Sequence, residues 1–231
     1  MNVLIVVAHP DDEVLGCGAT GAALAAAGHS VRACFLAGHV EERGGRPQDG
    51  ELRADMEKAQ RELGFGEPFR GAFPNIRLNT VPHIELVRFV EQAILESGAQ
   101  LIFTHHPADL NDDHLHTSRA CMAAARLFQR RADVKRLRRL YFMEILSSTD
   151  WAFPTGGDAF RADTFVDCSQ WLDRKIAALR AYRGVMRDFP HPRSDQVLRG
   201  LAAYRGGQSG LDGAEAFQTA FASAATAAEM L

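Results

Sequence analysis

Apolar and polar residues fall along this chain in blocks whose lengths and periods predict elements directly. Val3-Leu4-Ile5-Val6-Val7 is an unbroken β-branched and leucine run, the pattern of a strand buried on both faces of a parallel sheet. Val14–Ala27 reads as a small-residue helix stopped by Gly28, and Val31–Leu36 as a second buried strand. A polar, glycine-rich stretch from Gly38 to Gly50 predicts a loop over the strand ends, where substrate contacts usually sit. Glu51–Leu63 is amphipathic and ends at Gly64; Pro68–Phe73 predicts a third strand. Val81–Ser97 carries Ile84, Val87, Val90 and Ile94 on one helical stripe, and Leu101–Thr104 is a short buried strand. A helix from His114 to Arg131, a strand Leu140–Leu146, a loop Trp151–Asp163 and a short strand at Phe165-Val166 follow. Helices are expected at Trp171–Tyr182, Asp195–Tyr204 and Ala214–Ala228, the last with Phe217 and Phe221 four apart as an apolar stripe.

Strands alternating with helices predict an α/β fold: a Rossmann-like, mainly parallel sheet flanked by helices, with right-handed crossovers. At 231 residues the chain fits one such domain, with a helical C-terminal part from about residue 169 to 231 packed on it. The formal charge of -3, from 26 basic and 29 acidic residues, gives no reason to expect a nucleic acid or an anionic membrane as partner. Seven basic residues between Arg126 and Arg139 read as a solvated helix end and loop. No signal peptide opens the chain and no apolar run approaches membrane-spanning length, so a cytoplasmic protein is expected. Cys17, Cys34, Cys121 and Cys168 form no CxxC pair and are expected as buried free thiols.

The chemistry concentrates at two predicted strand ends. Ala8-His9-Pro10-Asp11-Asp12-Glu13 follows the first strand, and His105 to His116, with Asp109, Asn111, Asp112, Asp113 and His114, follows the fourth. Open α/β sheets bind ligands outside the carboxyl ends of their strands, so both clusters can converge there. His9 and Asp12 are half of a zinc site, which needs a third ligand. His114 supplies it at the start of a helix that Asp112 or Asp113 would cap.

These segments resemble the LmbE-like (PIG-L) zinc-dependent N-deacetylases. The resemblance extends to Arg53 with Glu57, Phe73-Pro74-Asn75, His105-His106-Pro107, Ser147-Ser148-Thr149-Asp150-Trp151, Pro190-His191-Pro192-Arg193-Ser194 and Ala214-Glu215-Ala216-Phe217. It implies His9, Asp12 and His114 as ligands of one Zn2+ per chain, Asp11 as general base, and Glu13 behind them. It also implies a small N-acylated sugar-type substrate and a homo-oligomer, a trimer or hexamer. Iron or manganese would accept the same ligands.

Two positions depart from relatives. Asn111 stands where some have histidine; it can hydrogen-bond an oxyanion but carries no proton. Asn75 stands where many have a sugar-binding acid. The departing amine is then protonated either by Asp11, returning the proton it took, or by a histidine from elsewhere: His191 is the first candidate, His106 the second, with His105 and His116 also within the motif. Arg193 is expected to meet an anionic substrate group, and Arg53, Asn75 and Asp113 to act as supporting or substrate residues. Two other classes remain. A nucleotide-binding Rossmann-like module would share the opening, but no GxGxxG follows the first strand. A non-catalytic metal-binding protein would keep the three ligands without needing Asp11.

Overall fold

The computed structural model describes residues 1–38, 49–153 and 159–226. Most of the polar segment expected between Gly38 and Gly50, and residues 154–158 of the loop after Trp151, lie outside the described residues. The strands are β1 (Asn2–Val7), β2 (Ser30–Phe35), β3 (Phe69–Arg70), β4 (Leu101–His105), β5 (Arg139–Met143), β6 (Thr164–Asp167) and β7 (Ala214–Ala222). The helices are α1 (Asp12–Ala26), α2 (Asp49–Leu63), α3 (His83–Ser97), α4 (Asp112–Ala124), α5 (Leu172–Ala181) and α6 (Asp195–Ser209). They build a single α/β domain around one seven-stranded sheet in the order β3-β2-β1-β4-β5-β7-β6.

The first five strands in that order pair in parallel; β7 runs antiparallel to both β5 and β6. Because β1 is buried on both sides, its alternation divides two cores. Val3, Ile5 and Val7 join a cluster with residues of α1, α2 and α5, while Leu4 and Val6 join residues of α3 and α4. The chain leaves β1 for β2 on one side and returns to place β4 on the other. That reversal makes the β1/β4 boundary the switch point of the sheet, where a crevice forms.

Two expectations are corrected. Ala214–Ala228 is not a helix: its first part is β7, and Phe217 is fully buried at 0 % exposure. Pairing with strands on both sides outweighs the helix propensity of an alanine-rich segment. Sequence residues 169–231 are therefore not a helical annex, since they supply a strand to the sheet. The predicted helix to Arg131 ends at Ala124, and its N-cap is Asn111, whose Oδ1 accepts from Asp113 N at 3.0 Å, rather than Asp112 or Asp113. Ile84 is exposed, whereas Leu86, Val87, Val90 and Ile94 form the buried stripe of α3.

The four cysteines are free and buried. In the basic stretch Arg130 pairs with Glu91 and Arg131 with Asp133 on the surface. Among the described residues no helix is long and apolar enough to cross a membrane.

Candidate active site

The turn between β1 and α1 is held in an unusual backbone state. Asp11, the N-cap of α1, has φ 115°, a region that L-residues avoid. Its amide donates to Glu13 Oε2 at 3.0 Å, and Glu13 Oε1 in turn accepts from Tyr182 Oη at 2.6 Å and Gln60 Nε2 at 2.9 Å. Burial pushes the Glu13 carboxyl up to about 8, against the donors from Tyr182 and the Asp11 amide that favour its charged form. Glu13 is thus the buried brace of the turn.

Asp12 stands at the centre of the histidines. Its Oδ2 is 3.3 Å from His9 Nδ1, 3.2 Å from His114 Nε2 and 3.6 Å from His105 Nε2. Burial alone would raise the Asp12 carboxyl, but the surrounding imidazoles, His114 foremost, hold it well below the usual range. Behind each of the two nearer imidazoles lies a further carboxylate. His9 Nε2 is 2.9 Å from Asp113 Oδ2, and His114 Nδ1 is 3.2 Å from Asp109 Oδ2. Asp113 also accepts from the amides of Ile76 and Leu78 at 2.6 and 2.9 Å. Asp109 accepts from Ser148 Oγ, and from Thr149 Oγ1 at 2.8 Å. Despite burial, the two carboxylates beside His114 raise it to about 10, and His9 is raised as well by Asp113 and Asp12.

This donor set fits a divalent metal. One ligand atom from each of His9, Asp12 and His114 lies within 4.8 Å of the others, all three residues being buried. The carboxylates behind the histidines occupy their outer nitrogens and leave Nδ1 of His9 and Nε2 of His114 facing Asp12, as ligating imidazoles require. His105, Asp109 and His114 satisfy the same spacing. That second set is already committed: His105 Nε2 accepts from Ala8 N at 2.9 Å, and Asp109 serves Ser148 and Thr149. His105 lies flat against His114, ring centroids 3.8 Å apart, and burial, then His114, lowers it to about 3, so it is a neutral wall.

A cavity of about 430 Å³ opens at these residues. It is lined by His9, Asp11, Asp12, Asn111 and His114, and by Trp151, Arg187, His191 and Arg193 from the C-terminal half of the chain. Arg193 Nη1 is 2.9 Å from Asp11 Oδ2, and its Nε donates to Ser147 Oγ at 2.7 Å. Trp151, 47 % exposed, meets the His191 ring edge-on and is no core residue. His191 Nδ1 accepts from Arg193 N at 3.0 Å, which leaves Nε2 to donate. Partial burial, then Arg193 and Arg187, lower its pKa.

Of the residues singled out in the sequence, His9, Asp11, Asp12, Asn111, His114, His191 and Arg193 line the cavity, with Glu13 and Asp113 directly behind. Five others do not line it, one of them His105, which is stacked on His114. Arg53 lies on the exposed face of α2 paired with Glu57, and His106 is buried against Phe142 and Phe160. Asn75 is buried beside the turn at Ile76, with its Oδ1 lacking a partner among the described residues. His116 faces Asp112 at 3.5 Å. Asp109, Leu110, Ser147 and Ser148 stand within segments singled out in the sequence but had no role assigned to them; Ile76 and Arg187 were not anticipated. Asp109 had a further signal, since two candidate ligand histidines call for two orienting carboxylates and the motif contains both.

The class of protein is thus an α/β domain with a Rossmann-like sheet and a buried His/Asp/His cluster at its switch point. The chain belongs to the PIG-L family, described as GlcNAc-PI de-N-acetylase, which it matches over residues 4–125, more than half its length. No curated protein matches. Among solved structures it is similar to the conserved protein TT1542 from Thermus thermophilus, with 29 % identity, TM-score 0.78, and coverage of 98 % of this chain and 97 % of that one. It is also similar in fold to the N,N'-diacetylchitobiose deacetylase of Pyrococcus horikoshii (18 %, TM-score 0.74, 94 % and 82 %). A third similar fold is GalB, the 4-carboxy-2-hydroxymuconate hydratase of Pseudomonas putida (19 %, TM-score 0.75, 98 % and 99 %).

Proposed function

We propose that the protein is a zinc-dependent hydrolase that removes an acetyl or related acyl group from the amide nitrogen of an N-acetylamino sugar or similar small conjugate. The observation that carries this is the presence, in one cavity, of three buried ligand side chains and an adjacent carboxylate, Asp11, that belongs to neither candidate ligand set. Membership of a de-N-acetylase family supports the reaction type, and a similar fold that deacetylates diacetylchitobiose supports the substrate class.

A divalent metal held by His9, Asp12 and His114 would supply Lewis-acid activation of water and of the acyl carbonyl. Asp11 accepts the proton of the attacking water, because its carboxylate faces the cavity. Asn111 spends Oδ1 on capping α4, so Nδ2 is the end that donates to the acyl oxygen as charge develops. His191, with its pKa lowered and its proton on Nε2, acts as a hydrogen-bond donor to substrate and is a poor proton source at neutral pH. Asp11 therefore returns its proton to the departing amine. Trp151 offers a ring face for a sugar or apolar group.

The likeness to a hydratase fold supports a second reading, in which the same activated water adds to a carbon–carbon double bond. Purified protein loaded with zinc, iron or manganese and tested on N-acetylated sugars decides between them. Release of amine and acetate supports deacetylation; loss of enol absorbance from an unsaturated acid, with no amine release, supports hydration. With Phe217 in the core, the expected trimer or hexamer rests on the family resemblance alone; a mass near 25 kDa by light scattering would contradict it.

A further inference from the structure

Lys175 of α5 and Glu215 of β7 form a buried ion pair outside the candidate chemistry. The residues are 7 % and 6 % exposed, and Nζ lies 2.7 Å from Oε1. Taking two charges out of water is costly, and their attraction repays it only when further hydrogen bonds satisfy both ions. Here those further bonds all go to one helix.

Helix α1 departs from helical geometry at Cys17, with φ −148° and ψ 28°. A break in a helix orphans carbonyls before it and amides after it. Glu215 accepts from Ala19 N at 3.1 Å and Thr20 N at 2.6 Å, while Lys175 Nζ donates to the Leu15 carbonyl at 2.7 Å. In a continuous helix Ala19 N would donate to Leu15 O. The ion pair thus spans the place of that one hydrogen bond. Its signs also suit the two ends it meets: a cation at a helix C-terminus and an anion at an N-terminus.

The short segment before the break carries Asp11 and Asp12. It is pressed on the end of β5 and the segment that follows, since a Cβ at Gly16 would lie 2.8 Å from Met143 Sδ and from Ile145 Cδ1. It is held by Lys175 of α5 at Leu15 and by Tyr182, the residue that follows α5, at Glu13. We infer that Lys175 and Glu215 are positioning residues: the pair holds the break in α1 so that the Asp11–Gly16 segment keeps Asp12 facing His9 and His114 and Asp11 facing the cavity. This rests on the reading of His9, Asp12 and His114 as a metal centre.

The test is a cobalt(II) titration of the metal-free full chain, reading affinity by chelator competition and ligand geometry by the visible spectrum. Three variants are compared with wild type: Glu215→Gln, the charge-free double variant Lys175→Met/Glu215→Gln, and Ile176→Val as a stability control in the same helix. Partners behind metal ligands typically change affinity about 10–100-fold, and a loss in that range is expected in both clamp variants, with an altered spectrum. Ile176→Val should lower the melting temperature and leave affinity and spectrum unchanged. If Glu215→Gln does not fold, the double variant decides, because it leaves no unpaired buried charge. Wild-type affinity and spectrum in the clamp variants, with a lowered melting temperature only, overturns the positioning role. His114→Ala reports on the centre itself: undiminished affinity there overturns the metal-centre reading and the clamp with it.

Discussion

Arg193 and Asp11, separated by 182 residues of chain, form an ion pair of 2.9 Å at the mouth of the centre. The sequence suggested Arg193 as a contact for a substrate anion; the structure gives it a partner within the protein. Its Nε is fixed by Ser147 Oγ, so the guanidinium presents one nitrogen to the carboxylate from a set direction. Arg193→Met should release Asp11 from that direction while leaving the three ligands in place. A misplacement of about 1 Å can cost on the order of 100-fold, so kcat/KM should fall about 10–100-fold with metal content near wild type. A rate within twofold of wild type would show that the pair does not orient the base.

The φ of 115° at Asp11 makes a prediction about stability. Glycine tolerates this region and alanine does not, so Asp11→Gly should be more stable than Asp11→Ala by about 1 kcal/mol, although both are inactive. Urea unfolding of the two metal-free variants measures the difference. Equal midpoints would mean that the turn relaxes and stores no strain.

With His9, Asp12 and His114 as the proposed ligands, metal and protons would compete at the histidines. In the metal-free protein His114 is raised from 6.5 to about 10, so it keeps its proton at neutral pH and must lose it on binding metal. Apparent affinity should therefore rise about tenfold per pH unit for each proton displaced, up to about pH 10. The sign for the metal-free fold is opposite: the stabilisation of protonated His114 is fully present below 6.5 and is lost as pH rises through about 10. Calorimetric titration at pH 7 in buffers of different ionisation enthalpy should show at least one proton released per metal bound. No release would contradict the assignment.

His191 is a hydrogen-bond donor in this account, because partial burial and the neighbouring Arg193 and Arg187 disfavour its charged form. His191→Ala should raise KM more than it lowers kcat and should leave the basic limb of the pH profile where it was. Displacement of that limb would identify His191 as the acid.

The legible parts of the site were those written locally. A buried run such as Val3–Val7 followed at once by His9, Asp11 and Asp12 announces a strand end with chemistry on it, and the same logic recovers His114 after β4. Pairings across the fold were not legible. Asp109 orients His114 through a turn whose shape also depends on Ser148 and Thr149. Lys175 sits on an amphipathic helix, where a charge reads as solvated, and only the break in α1 explains its burial. β7 was misread because phenylalanines four apart fit a helix, whereas its strand character comes from β5 and β6, which flank the gap it fills.

The measurement that bears most directly on the account is the rate of amine release per bound metal for Asp11→Asn against wild type, on an N-acetylated sugar that the wild type turns over. Asp11 is read as base and not ligand, so the variant should hold close to one metal per chain and turn over about 10²–10⁴-fold more slowly. A variant that keeps its metal and works within threefold of the wild-type rate would contradict the role of Asp11; one that loses its metal would reverse the parts assigned to Asp11 and Asp12.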